Sequence, residues 1–301
     1  MRTRKFASKK GSKRFGKSRI TKPRFIKETP KSKWKQVPRG KPGMRKNTIS
    51  ESFQKKTTAQ KLVASLHNKK DRDARKLFLV EGEKTFVETL DSFYPLHSAF
   101  VTHGFLEIYP EVKETFGDKI HVVDEYELTS MGTLSVNTMA LGIFHQQDLP
   151  PFKIGGQEVV LALCDVNDPG NLGTLVRIAD WYGITKIVAS KNTVDIYNPK
   201  TISASKGSFA RVGVYYQDLE DFFLEHESIP VFAADMEGNN VHTTPFPKQG
   251  ILLLGNETHG IPHELEDYID HAITIPRYGN AESLNVAIAG AVILDNWKKS
   301  L

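Results

Sequence analysis

Three segments of the chain place chemically useful side chains directly after apolar runs. The first, "DVNDPGNLGTLVRIAD", contains Asn171, which can cap the following helix, and Arg177. The second, "ILLLGNETHGIP", holds Glu257 in a glycine turn, and the third, "ITIPRYGNAESLNVAIAG", opens a helix at Ser283 and Asn285. An arginine beside a strand end can bind an anion or stabilise a developing oxyanion, and glycines let the backbone approach a ligand closely.

Each segment also has an ordinary structural interpretation. Arg177 can be a surface residue, and Glu257 and His259 can lie in solvent around a glycine turn. The spacing alone supports only a nucleotide-like ligand at the end of a sheet. No G-x-G-x-x-G fingerprint follows a predicted strand, which disfavours a nicotinamide-dependent dehydrogenase.

Apolar runs alternate with helical stretches in the second half of the chain. This pattern is typical of an α/β domain with a parallel sheet covered on both faces, in which ligands bind beyond the carboxyl ends of the strands. The predicted strands are Val159–Leu163, Lys186–Ala189, Val231–Ala234, Ile251–Leu254 and Ala272–Ile275.

The sequence predicts a smaller α/β domain over residues 47–150, with Pro150 and Pro151 as the linker to a domain over residues 151–301. It begins with a helix and a basic turn, followed by a strand and a helix near Gly82. The predicted strands are Leu77–Val80, Ser98–Thr102, Ile120–Val123 and Ala140–Phe144. The basic residues between the first helix and strand, which form either a solvated face or part of an RNA-binding surface, are Lys69, Lys70, Arg72, Arg75 and Lys76.

The N-terminal tail carries most of the positive charge. Residues 1–50 hold 19 Lys and Arg and one acid, Glu28, a net charge of +18, whereas the remaining 22 basic and 34 acidic residues give −12. Residues 1–46 have no apolar periodicity, so we expect disorder. Aromatic residues among the bases favour contact with RNA, although a linker or a transit peptide has a similar composition. These aromatic residues are Phe6, Phe15, Phe25 and Trp34.

The composition favours a cytoplasmic protein without a membrane span. No apolar run reaches membrane-spanning length, and no secretory signal is visible. The single cysteine, Cys164, lies in a predicted buried strand, which indicates a structural thiol in a reducing compartment.

The three segments together indicate a protein family much more specifically than any one of them alone. The patterns "N-x-x-x-x-x-R", "G-x-E-x-x-G" and "IP-x-x-G-x-x-x-SLNV" resemble the three motifs of the TrmH-like family of SPOUT-superfamily methyltransferases, and the resemblance covers roughly residues 155–301. The segment "LFLVEGEKT" is similar, more weakly, to the small RNA-binding domain that precedes the catalytic domain in many of these enzymes.

The resemblance implies a parallel sheet with a C-terminal trefoil knot, S-adenosylmethionine as the cofactor, and methyl transfer to a ribose 2′-hydroxyl of RNA. Arg177 would stabilise the alkoxide, with Asn171, Glu257, Ser283 and Asn285 holding the reacting groups. No metal is required. The residues that would bind the cofactor are Leu254, Gly255, Glu257, Gly260, Ile275, Arg277, Ser283 and Leu284. Arg277 departs from the family pattern, which often has Met at this position, and His259 is a second acid–base candidate or a surface residue.

The family and the nearly all-round apolar final helix also predict a homodimer. The preceding RNA-binding domain favours ribosomal RNA over transfer RNA as substrate. The alternative is a noncatalytic RNA-binding or ribosome-assembly protein that has kept the fold, and cofactor affinity would separate the two.

Overall fold

The structure is a computed structural model that describes residues 58–301; the predictions for the tail, residues 1–46, and for residues 47–57 lie outside the described residues. The ten helices of this part of the chain are α1 Thr58–Ser65, α2 Lys69–Arg75, α3 Glu83–Leu90, α4 His103–Ile108, α5 Pro110–Phe116, α6 Glu125–Met131, α7 Pro169–Trp181, α8 Pro199–Ser205, α9 Leu219–Glu225 and α10 Val286–Lys299. Its ten strands are β1 Leu77–Glu81, β2 Leu96–Val101, β3 Ile120–Val122, β4 Ala140–His145, β5 Val159–Leu163, β6 Lys186–Ala189, β7 Gly213–Tyr216, β8 Val231–Asn240, β9 Gly250–Leu254 and β10 His271–Thr274. Short 3-10 turns cover Gly117–Lys119, Ser208–Ala210 and His263–Tyr268.

The strands form two sheets. The first has the order β1-β4-β2-β3, in which β4 is antiparallel to both of its neighbours. The second has the order β10-β8-β9-β5-β6-β7, and all of its pairs are parallel. Every residue of β5 and β9 is buried, as the continuous apolar runs predict for central strands covered on both faces. The α/β class and the parallel sheet are confirmed.

Strand β7 is absent from the sequence prediction. It is four residues long, "GVYY", and only Val214 is buried. It lies at the edge of the six-stranded sheet formed by residues 58–301, and because three of its four residues are not fully buried it lacks a continuous apolar run.

The predicted basic turn is wrong: residues 69–75 form α2. Asn68 caps this helix by accepting from Lys70 N, and Asp71 complements the positive end of the helix dipole. Arg72 is buried and is therefore unavailable to RNA, whereas Lys69 and Arg75 are exposed.

Two sets of ion pairs join the sheets. Arg72 donates to Asp195 Oδ2 at 2.7 Å and to the carbonyl oxygens of Leu66 and His67 at 3.0 Å. Arg211 lies 3.0 Å from Glu88 on α3 and 2.6 Å from Asp180 on α7. An aromatic cluster between the sheets contains Phe78, Tyr94, Tyr197 and Phe209. These contacts fix the four-stranded sheet against the six-stranded one.

Within residues 58–301, no helix has the length and apolar character needed to cross a membrane.

Candidate functional site

Helix α7 begins at a cap that differs from the predicted one. Asp168 is the N-cap, and its carboxylate accepts from Asn171 N at 2.8 Å, while Pro169 occupies the first helical position. The prediction that Asn171 caps the helix is wrong. Because Asp168 takes that role, the Asn171 side chain is free to make contacts outside the helix.

Asn171 joins all three sequence segments in one chain of hydrogen bonds. Its Nδ2 donates to Glu257 Oε1 at 2.6 Å, and its Oδ1 accepts from Asn285 Nδ2 at 2.8 Å. Asn285 is also the N-cap of α10, since its Oδ1 accepts from Ala287 N and Ile288 N. The structure therefore brings Asn171, Glu257 and Asn285 together from positions spread over more than a hundred residues.

The loop after β9, residues 255–260, closes on itself. Asn256 and Gly260 exchange two backbone hydrogen bonds, of 2.9 and 3.0 Å, and Asn256 Oδ1 accepts from Thr258 N and His259 N. A Cβ on Gly255 would lie 2.5 Å from the Gly260 carbonyl carbon, and Gly260 has φ of +70°. Both glycines are thus required by the tight turn. We call this segment, in which the sequence predicts contacts with the cofactor, the cofactor loop.

Strand β8 contributes residues that sequence reasoning missed. Ala233 pairs with Ala272, but the next β10 residue, Ile273, pairs with Asn239, so residues 234–238 of β8 are extra to the ladder. Such irregularities redirect side chains near binding sites. The only sequence signal is the change after Ala234 from an apolar run to "DMEGNN".

A cleft of about 870 Å³ opens beyond the carboxyl ends of β8, β9 and β10. Its volume is within the range of sites for drug-sized ligands. It is lined by every residue that the sequence assigns to the cofactor: Leu254, Gly255, Glu257, Gly260, Ile275, Arg277, Ser283 and Leu284. The extra β8 residues Ala234, Asp235 and Met236 and the flanking residue His259 also line it.

The side chains around the cleft differ in exposure. Leu254 is buried at the end of β9, whereas Ser283, Leu284 and Arg277 are exposed on the loop before α10. Arg277 Nη1 donates to Ala281 O at 3.3 Å, so it folds back onto its own loop. The cleft thus has an apolar floor and a polar, open rim.

Arg177 stands apart from these residues. It lies on α7, it is exposed, and it does not line the cleft. Within residues 58–301 its guanidinium makes no hydrogen bond or ion pair. The structure therefore leaves it available to an incoming anion. It takes no part in the hydrogen bonds that join Asn171 to Glu257 and Asn285.

Cys164 is buried, as predicted, but it lies directly after β5 and not within the strand. Burial, and then the neighbouring charge of Asp165, raises the pKa of the thiol from 9.0 to about 11. A neutral buried thiol is a poor nucleophile. Within the described residues, no group of three or more His, Cys, Asp or Glu is placed to hold a metal ion.

Two sequence families match separate parts of the chain. The SpoU rRNA methylase family matches residues 158–295, and the MRM3-like substrate binding domain matches residues 59–135. The first match contains the cleft, and the second begins in α1 and ends shortly before β4.

Individual relatives agree with these matches. The 23S rRNA (guanosine(2553)-2′-O)-methyltransferase RlmP of Bacillus subtilis is 30% identical over 232 residues, which are 76% of this chain and 91% of that protein. A 23S rRNA (uridine(2479)-2′-O)-methyltransferase of Streptomyces viridochromogenes is 32% identical over 135 residues, 42% of this chain and 47% of that protein. The crystal structure of an S-adenosylmethionine-bound rRNA methyltransferase from Sinorhizobium meliloti superposes with a TM-score of 0.74 at 28% identity, over 85% of this chain and 98% of that one.

Proposed function

The chain belongs to the SpoU rRNA methylase family, and on that premise we propose that it transfers a methyl group from S-adenosylmethionine to a ribose 2′-hydroxyl of ribosomal RNA. The observation that carries the proposal is the chain of hydrogen bonds Glu257–Asn171–Asn285 at the edge of the cleft. It joins the three sequence segments on which the resemblance to methyltransferases rests. The substrate class follows the relatives, which act on 23S rRNA.

The residues of the cleft fit S-adenosylmethionine. Apolar groups of Leu254, Ile275 and Leu284 suit the adenine ring, and the carboxylates of Asp235 and Glu257 complement the positive sulfonium and ammonium groups. The closed cofactor loop brings backbone groups to the wall of the cleft, since a Cβ on Gly255 has no room. When bound, the cofactor supplies a methyl group already activated by positive sulfur.

The ribose hydroxyl is a poor nucleophile near neutral pH, so the protein has to stabilise the alkoxide that develops as the hydroxyl proton passes to water at the open rim of the cleft. Arg177 does this electrostatically, because a protonated guanidinium is not a base. Its exposure and lack of partners leave all its N–H groups for the RNA. Asn171, itself held by Asn285, holds Glu257 at the rim, and Ser283 offers a hydroxyl there. Fixed positions of this kind lower the entropy cost of bringing the two substrates together.

RNA binding involves the first part of the chain. Residues 47–150 form the substrate-binding domain of the proposal, supported by the match of residues 59–135 to such a domain. The tail, with its net positive charge, adds phosphate contacts. Since ion pairs fix the four-stranded sheet against the six-stranded one, RNA held on the first is presented to the cleft in one orientation.

The proposal includes the trefoil knot. Strand β10 lies at the edge of the six-stranded sheet, yet Asn285 bonds Asn171 beside the central strand β5. Residues 275–285 therefore run back across the ends of β8 and β9, alongside the cofactor loop. A return path of this kind is what the knot needs.

The proposal also includes a homodimer. Helix α10 buries most of its apolar residues within the chain, including Trp297, but Ile288 remains about half exposed, and Trp181 on the adjacent α7 is 84% exposed. A second copy would cover these side chains. Sedimentation at micromolar concentration should give a dimer, and Ile288→Lys should give a monomer; a fully active monomeric wild type would contradict this part of the proposal.

The whole function is tested with methyl-labelled S-adenosylmethionine and total RNA from a strain that lacks the gene. After nuclease digestion, we expect label in a 2′-O-methylnucleoside of ribosomal RNA, and loss of that label with Arg177→Ala. Label on a base would overturn the chemistry. Cofactor binding without transfer would direct the assay to ribosomal particles, and no cofactor binding would favour the noncatalytic alternative.

A further inference from the structure

Asp165 has an unusual backbone conformation at the end of β5. Its φ is +54°, in the left-handed region that residues other than glycine rarely adopt. Two other described residues besides glycines share this property, Lys76 and Lys206, and each ends a helix, where the left-handed conformation is common. Asp165 follows a strand and ends no helix, so its conformation needs another explanation.

Contacts with the loop after β6 hold Asp165 in this conformation. Its backbone N donates to Ser190 Oγ at 2.9 Å, and Ser190 Oγ donates to Asp165 Oδ1 at 2.6 Å. Asn192 Nδ2 lies 3.4 Å from the other carboxylate oxygen. The carboxylate is thus used by neighbouring side chains, and Asp165 does not line the cleft. It acts on the site only through another residue.

That residue is Asn256. Its Nδ2 donates to the carbonyl oxygen of Asp165 at 2.7 Å. Its Oδ1 accepts from Thr258 N and His259 N, and its backbone pairs with Gly260. Asn256 is therefore the centre of the cofactor loop, and its side chain bonds this loop to the segment that follows β5 through the Asp165 carbonyl oxygen.

We propose that Asp165 is a positioning residue for methyl transfer: its left-handed turn directs its carbonyl oxygen at Asn256 and so sets the position of the cofactor loop against the cleft. The inference rests on the proposed use of this cleft for S-adenosylmethionine. Strained backbone that is held by several neighbours is characteristic of functional sites. Glu257 follows Asn256 directly, so the same contact fixes the acceptor that Asn171 uses.

The test compares substitutions that separate conformation from side chain. Asp165→Asn keeps a residue that tolerates the left-handed region and retains an oxygen for Ser190. Asp165→Ala has neither property, so residue 165 should abandon the left-handed conformation and its carbonyl oxygen should lose the hydrogen bond from Asn256. By calorimetry, we expect the Kd for S-adenosylmethionine to rise about tenfold in Asp165→Ala, the scale of one lost hydrogen bond, and to stay near the wild-type value in Asp165→Asn.

Asn256→Ala and the double variant complete the cycle. Because both residues act through one contact, Asp165→Ala should add little to the loss caused by Asn256→Ala. RNA affinity, measured without cofactor, should be unchanged, which a general loss of structure would not allow. If Asp165→Ala fails to fold, Ser190→Ala removes the same support and should also weaken cofactor binding.

Two results would overturn the inference: wild-type cofactor affinity in folded Asp165→Ala, or fully additive losses in the double variant. Wild-type protein that binds no S-adenosylmethionine would overturn the proposed function together with this inference. If the wild-type protein binds S-adenosylmethionine, the affinities of the variants therefore test the role of Asp165 alone.

Discussion

Asn171 Nδ2 lies 2.6 Å from Glu257 Oε1, so the first turn of α7 and the cofactor loop are directly bonded at the rim of the cleft. Glu257→Gln keeps an oxygen that can accept from Asn171, whereas Glu257→Ala removes it. We expect turnover to fall about tenfold in the first variant and about 100-fold in the second, as for small misplacements of reacting groups. Single-turnover methylation rates at saturating cofactor measure both. Equal losses in the two variants would show that the charge, and not the bond to Asn171, matters.

Arg177→Ala should lower turnover by about 100- to 1000-fold, the effect of removing one preorganised donor to a developing oxyanion. Its Kd for S-adenosylmethionine should not change, because Arg177 does not line the cleft. Arg177→Lys should be intermediate, since it keeps the charge without the planar fork of donors. Parallel measurement of kcat and cofactor affinity checks this, and a parallel loss of affinity would place Arg177 in the cofactor site.

Gly255→Ala should abolish cofactor binding. Its Cβ would meet the Gly260 backbone at 2.5 Å, and neither side of that contact is a flexible side chain. Gly279→Ala is the matched control, because Gly279 lines the same cleft but has open space around its Cβ position. Calorimetric titration with S-adenosylmethionine should show binding in the second variant only. Normal binding by Gly255→Ala would mean that the cofactor loop opens at little cost.

Arg72→Met should lower the free energy of unfolding by about 3–5 kcal/mol, because it leaves the Asp195 carboxylate without its charged partner in a mostly buried site. Lys186→Met, which breaks the more exposed pair with Glu158, should cost under about 1 kcal/mol. Urea unfolding followed by circular dichroism gives both values. Similar costs would show that the Arg72 pair is no more buried in solution than the Lys186 pair.

The Cys164 thiol should make stability depend on pH above neutrality. Its pKa is raised from 9.0 to about 11 in the folded protein, so the folded state holds the proton more tightly than the unfolded chain. This contribution is complete below pH 9 and is lost as pH rises from 9 to 11. Wild-type protein should therefore lose thermal stability relative to Cys164→Ala across that window. A constant difference between their Tm values would contradict the raised pKa.

The parts of the fold that sequence predicts best are those with one strong local signal. The bounds of β5 and β6 match the predicted runs because both are apolar segments ended by polar turns. The N-cap of α7 was also open to prediction: Pro169 prefers the first helical position, which assigns the cap to Asp168 rather than Asn171.

The missed features depend on distant neighbours. The extra residues of β8 exist only because β10 pairs on both sides of them, and no local pattern records that pairing. The partners of Asn171 likewise come from loops 86 and 114 residues away. The resemblance brought these segments together, but their hydrogen bonds required the structure.

The separation of these partners along the chain has a kinetic consequence. Contacts across 86 and 114 residues require long loops to close before any bond compensates for the lost chain entropy. Helices such as α7 form locally and quickly, whereas the Asn171 contacts have to wait for the parallel sheet. In refolding from urea, far-ultraviolet circular dichroism should recover first and S-adenosylmethionine binding last. The recovery of cofactor binding should thus report the time at which folding is complete.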